Sequence, residues 1–354
     1  MKVKLTLEQK ELLNDSFWLA YILRFIKKVD NIWLKSYISN FMLFFSSIYA
    51  NEIIVANFGE MSPDITMTRS ELNKMRINNI KLLPMENTEN IKSKILDMGV
   101  DFNNYVFDMT VLCDNNLELF DTNYRMWEFQ IKNEEKFDNL NAIVNTPLTW
   151  TKRFLGDYYE SISNIIDELS DQYIKEIEKY NFKSYSYSSY KLFKNKITND
   201  EKIYIIQRYG LVKSIIWFER IFKEKMKVEV GELNFDFEKF FMKIKAIVIE
   251  IIGNDRNNCN YEIINKLLSI NNDTIDNNFF KINRKVRDNI HYGKTNEITE
   301  KEIKIVNEYQ DIYLKNVIDI FDNNINIKFN LGYKFALAIA KLEYWSRDGK
   351  NRNI

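Results

Sequence analysis

Apolar and polar positions change their rhythm twice along the chain. Over residues 8–57 the apolar side chains recur near the helical period, with Leu12, Leu13, Phe17, Tyr21, Leu23 and Ile26 sharing one side of a 3.6-residue repeat. From Asn57 the rhythm breaks up. Pro63 and Pro84 fall here, and the runs 105–112 and 126–131 are short, aromatic or β-branched, and bounded by Asn and Asp, which predicts strands. After Pro147 the helical pattern resumes at 148–169, so a boundary is expected near residue 150.

The later segments read more clearly. Residues 202–225 are apolar nearly all round (Ile205, Ile206, Tyr209, Val212, Ile216, Trp217, Ile221), the mark of a helix at the centre of a bundle. Phe237, Phe240, Phe241, Ile244, Val248 and Ile251 trace the stripe of a second helix, and 261–270 a shorter third. A fourth is expected over 276–292, stopped by Gly293. The longest starts at Thr299, whose partner Glu302 completes a capping box, and buries Val306, Tyr309, Tyr313, Val317 and Ile320. The fold class is therefore mainly α. A helical region with a few short strands (1–150) should precede an antiparallel up-down bundle (151–354, core about 200–325).

Composition narrows the function. Only 9 Gly and 3 Pro in 354 residues exclude a turn-rich β sandwich or a Gly-loop doubly wound fold. Lys+Arg and Asp+Glu are both 50, so no global basic field holds nucleic acid and any polyanion site must be local. Cys113 and Cys259 alone cannot make a structural zinc site and suit a reducing compartment. Residues 1–15 lack the apolar run of a signal peptide. The uncharged stretch 36–50 is shorter than the roughly 20 residues a span needs, so a cytoplasmic protein without a membrane segment is expected. Residues 181–196 interleave Ser, Tyr and Lys. An edge strand or polar connector is the expected reading there, and a stacking surface for single-stranded nucleic acid the sharper one.

The candidate chemistry gathers around the single histidine, His291. On a continuous helix Arg284, Arg287 and His291 stand at i, i+3 and i+7 and share a face. Five Lys/Arg and one Asp between 281 and 294 make a local positive patch. An imidazole can exchange a proton with a hydroxyl near neutral pH, and guanidinium groups fork onto phosphate oxygens. That set suits metal-free cleavage of a phosphodiester by its own ribose 2′-hydroxyl.

Arg287-Asp288-Asn289-Ile290-His291 near a helix end, followed by a short turn and a long last helix, resembles the HEPN (higher eukaryotes and prokaryotes nucleotide-binding) superfamily. Its hallmark is an Arg, then a polar residue, then a His after usually four to six intervening positions. Three residues separate Arg287 from His291 here, whereas counting from Arg284 gives six, with Lys285 in the polar place. Either arginine can be the partner. The resemblance implies a helical, usually dimeric, metal-independent RNase with no cofactor, of the kind found in toxin, abortive-infection and phage-defence systems. In it Arg287 binds phosphate, Asp288 is the polar second position and His291 moves the proton. Arg284 would share the phosphate, Asp288 or Asn289 would orient the arginines, and Tyr292 and Lys294 would line the cleft. RNA, a second copy of the chain and an antitoxin or regulatory protein are the partners so implied. Two other readings remain. One is a non-catalytic nucleotide-binding or protein-interaction module with a degenerate motif. The other is a metal nuclease using Asp121, Glu128, Gln130 and Lys132.

Overall fold

The computed structural model describes residues 5–30, 158–177, 198–222, 227–258, 277–292 and 295–324, the strand backbones at 108–113, 121–122 and 183–188, and scattered positions within 45–52, 68–77 and 262–267. These residues are mainly helical. In chain order they form α1 (Leu7–Lys28), β1 (Asp108–Cys113), β2 (Asp121–Thr122), α2 (Tyr158–Ile177), β3 (Lys183–Ser188), α3 (Asn199–Phe222), β4 (Lys227–Val230), β5 (Leu233–Asp236), α4 (Phe237–Asn258), α5 (Asn277–Asp288) and α6 (Glu300–Asp322). No helix among the described residues is long and apolar enough to cross a membrane.

Local sequence sets several of the boundaries. α1 and α6 each begin at a capping box, Thr6 with Gln9 and Thr299 with Glu302, in which hydroxyl and side-chain oxygen satisfy backbone donors that the first turn leaves open. Between α3 and α4 the chain turns through a hairpin that helical reasoning passes over. Val228 faces Phe235 and Val230 faces Leu233 across it, and Gly231 takes the left-handed conformation (φ 61°) that a two-residue turn requires. β1 pairs antiparallel with both β2 and β3, giving the order β2-β1-β3. The strand expected at 105–112 thus lies at 108–113, and the Ser-Tyr run forms a strand at the end of this sheet. The strand expected at 126–131 lies outside the described residues.

α3 is buried nearly all round, as its sequence predicts, and α4 shares the centre with it. Every residue from Phe240 to Ile249 is buried, a wider burial than one stripe. α4 packs against α1, α3, α5 and α6. Its charged side chains address those neighbours one by one. Lys243 is held by Glu11 at 2.5 Å and Asp15 at 2.9 Å on α1. Lys245, two residues on and so turned to the opposite side, is held by Glu219 of α3 at 2.7 Å and Asp311 of α6 at 2.9 Å. Asp255 accepts two bonds from the Arg208 fork of α3, at 2.6 and 3.0 Å. Gln310 of α6 donates to the Met242 carbonyl and to Asn283 of α5, tying three helices at one level.

α1 belongs to the same apolar core. Phe17 stacks on Phe235 at 4.2 Å, Trp18 meets Phe237 edge-on, and Phe25 meets Phe222. Aromatic packing thus joins α1 to elements on the far side of the boundary expected near 150. Breaking a buried pair leaves its partner charged in a dry place. Lys243→Ala should accordingly lower unfolding free energy by about 3 kcal/mol or more, read by urea denaturation. Lys245→Ala should cost clearly less, because Asp311 can return to water.

Candidate active site at the α5–α6 turn

α5 stops at Asp288, short of the helix expected to reach Tyr292. The next amides bond three residues back: Asn289 to Val286, Ile290 to Arg287, and His291 to Asp288 at 2.9 Å. This tighter winding advances each residue by about 120° instead of about 100°, so His291 is turned from the position a continuous helix would give it.

The turn is pinned on both sides of the histidine. Asn289 is buried, donates to the Asn296 carbonyl at 2.9 Å and accepts from the Asn296 N–H at 2.8 Å, closing the loop into α6. Ile290 enters the core. Tyr292 is wholly buried and donates its phenol to Asp15 of α1 at 2.9 Å. His291 alone of residues 289–292 keeps solvent access, with its side chain 34% exposed. Its Nδ1 lies 2.5 Å from the Glu52 carboxylate, which is itself 4% exposed. A carboxylate at Nδ1 orients the ring and leaves Nε2 as the nitrogen that can exchange a proton with a substrate.

The remaining expected residues sort differently. Arg284 is 65% exposed and Arg287 27% exposed, and both approach one oxygen of Glu250 at 3.9 Å. Arg287 also pairs with Asp288 at 3.0 Å. Lys285 is taken by Glu302 at 2.9 Å, and the Glu302 carboxyl is held down to about 2 by the Thr299 backbone N–H and by Lys285. Acidic neighbours therefore offset part of the basic patch. Asn289 serves the turn rather than the arginines. Tyr292, expected at a cleft, lies in the core because its ring packs there and its hydroxyl finds Asp15. Lys294 lies outside the described residues, as do Glu128, Gln130, Lys132 and the side chain of Asp121.

Sequence reasoning missed Glu52 and Asp15. Glu52 is the first charge after the uncharged run that ends at Asn51, and Asp15 stands between Leu12 and Phe17 on an otherwise apolar stripe. A lone acid in such a setting is the signal that was available. Burial pushes the Asp15 carboxyl up to about 6 against the pull of Lys243, and Glu11 pushes the same way. Burial opposes the Lys243 charge, but Asp15 and Glu11 more than offset it and hold the ammonium above its ordinary value. Burial and Asp15 hold the Tyr292 phenol well above its ordinary value, so it remains a donor.

Comparison of the chain with family models, curated proteins and solved structures finds no match.

Asp15 binds its proton more tightly folded than unfolded, so its favourable contribution is complete below about pH 4 and is lost as pH rises through about 6. Asp15→Asn carries no such proton. Denaturant midpoints of wild type minus Asp15→Asn should fall between pH 4 and pH 7, and a flat difference contradicts this.

Proposed function

We propose that the chain is a metal-independent endoribonuclease of HEPN type, with His291 as its proton-transfer residue. One observation carries this reading: a partly exposed imidazole fixed at Nδ1 by a buried carboxylate. In the reaction Nε2 of His291 takes the proton of a ribose 2′-hydroxyl as that oxygen bonds to the adjacent phosphorus. The bond from phosphorus to the 5′-oxygen breaks, the departing oxygen takes a proton from water, and the imidazolium returns its proton to solvent. The products are a 2′,3′-cyclic phosphate and a free 5′-hydroxyl. Arg287 and Arg284, one turn apart on α5, stabilise the charge that gathers on the phosphate. To do so they exchange the long contacts with Glu250 for shorter ones with phosphate oxygens. The HEPN-like bundle and a homodimer that doubles the positive patch belong to this reading, as does a toxin or defence role in a cytoplasmic setting.

A non-catalytic module that binds a nucleotide or protein through the same helix is the second reading. The acids Glu250 and Asp288 beside Arg287 favour it, since they compete with phosphate for the guanidinium.

Single-stranded RNA incubated with the purified protein in EDTA separates the two. Cleavage is expected from wild type, with a rate about a thousandfold lower in His291→Ala and about a hundredfold lower in Glu52→Gln. Undiminished cleavage by His291→Ala contradicts the assignment of the residue, loss of activity in EDTA contradicts the metal-free mechanism, and binding without cleavage supports the module.

A further inference from the structure

We propose that Asp15 and Tyr292 are positioning residues of the candidate active site, a buried tether from the first helix that sets where the His291 imidazole stands. The proposal rests on the reading of His291 as the proton-transfer residue and adds to it a part supplied by α1.

Tyr292 follows His291 directly, so whatever fixes its side chain fixes the backbone that carries the imidazole. Its hydroxyl meets Asp15 Oδ2 at 2.9 Å, and neither residue is exposed. Asp15 is anchored in turn. Lys243 of α4 donates to both its oxygens at 3.1 and 2.9 Å, and Asn14 beside it accepts from the Asp236 N–H at 2.6 Å where the hairpin enters α4. The anchor is thus attached to the centre of the bundle rather than to a surface helix.

Packing alone does not explain this arrangement. A phenylalanine would fill the same apolar volume, and a tyrosine hydroxyl in the core is costly unless it is bonded. Tyr49 also lies close enough to Asp15 for its phenol to be pushed up by burial and then by that carboxylate. Tyr49 and Glu52 are each helical and buried. Glu52 meets the His291 ring and Asp15 meets Tyr292 beside it, so the imidazole is located by two separate contacts. Glu52 orients the ring, and Asp15 through Tyr292 holds the turn beneath it.

A single histidine makes the test direct, because imidazole-labelled protein gives one side-chain resonance. Tyr292→Phe is compared with wild type and with Tyr209→Phe, which removes a phenol bonded to Asp322 at 2.5 Å elsewhere in the bundle. The tether predicts a displaced and broadened His291 resonance in Tyr292→Phe alone. It also predicts kcat for RNA cleavage about tenfold lower with KM unchanged, as expected for a misplaced proton-transfer group. An unmoved resonance in folded Tyr292→Phe overturns the tether, whatever happens to RNA. If Tyr292→Phe does not fold, Asp15→Asn weakens the same bond from its other end and is read in the same way. A wild type that cuts no RNA overturns the nuclease reading, while the resonance still decides the tether.

Discussion

Two lysines buried in the central helix organise this protein. Lys243 and Lys245 stand almost opposite each other on α4, and each is clasped by two carboxylates from the surrounding helices. A buried ammonium tolerates few arrangements, because any that leaves it unpaired costs several kcal/mol. Apolar packing could accept α1, α3 and α6 in neighbouring registers, since oily surfaces of similar shape are interchangeable. Buried charge cannot be satisfied so loosely. We therefore assign to these ion pairs the choice among alternative packings, and to the aromatic contacts among Phe17, Trp18, Phe222, Phe235 and Phe237 the larger share of the cohesion.

The same ion pairs reach the candidate site. Lys243 neutralises Asp15, and Asp15 holds Tyr292. Stability and the placement of His291 thus share a residue. This helps explain why so polar a cluster lies in a core that leucine or isoleucine could fill. Glu52 adds the second constraint from the opposite direction. The turn itself is short, tight and pinned at Asn289, Ile290 and Tyr292, so the histidine stands on a stiff support while its ring meets solvent. Such stiffness suits a group that must meet a reacting atom without reorganising first.

Much of the fold was legible where a residue type has one local use. Thr299 with Glu302 marks the start of α6, and of the expected stripe Val306, Tyr313 and Val317 are buried while Tyr309 and Ile320 are partly buried against the core. The clear errors came where tertiary partners overrule local pattern. Lys243 and Lys245 made α4 look amphipathic, and only their carboxylate partners, far away in sequence, permit them to be buried. The end of α5 departs from its local pattern for a related reason. Residues 289–292 fit a helix, but Asn289 finds the Asn296 backbone and Tyr292 finds Asp15, and together they tighten the winding. At the site, sequence pointed to His291 and its arginines because a lone histidine in a basic stretch is conspicuous. It could not point to Glu52, since nothing local links that residue to one 239 positions later.

That separation bears on how the molecule comes into being. On the ribosome, Asp15 and Glu52 emerge early, while their partners Tyr292 and His291 are added only after more than two hundred further residues. A growing chain therefore holds the carboxylates without the ring for most of its synthesis. Contacts this remote also form late in folding, because a very long loop must close first. A nascent polypeptide therefore lacks both the Glu52–His291 and the Asp15–Tyr292 contacts until the turn between α5 and α6 has been made.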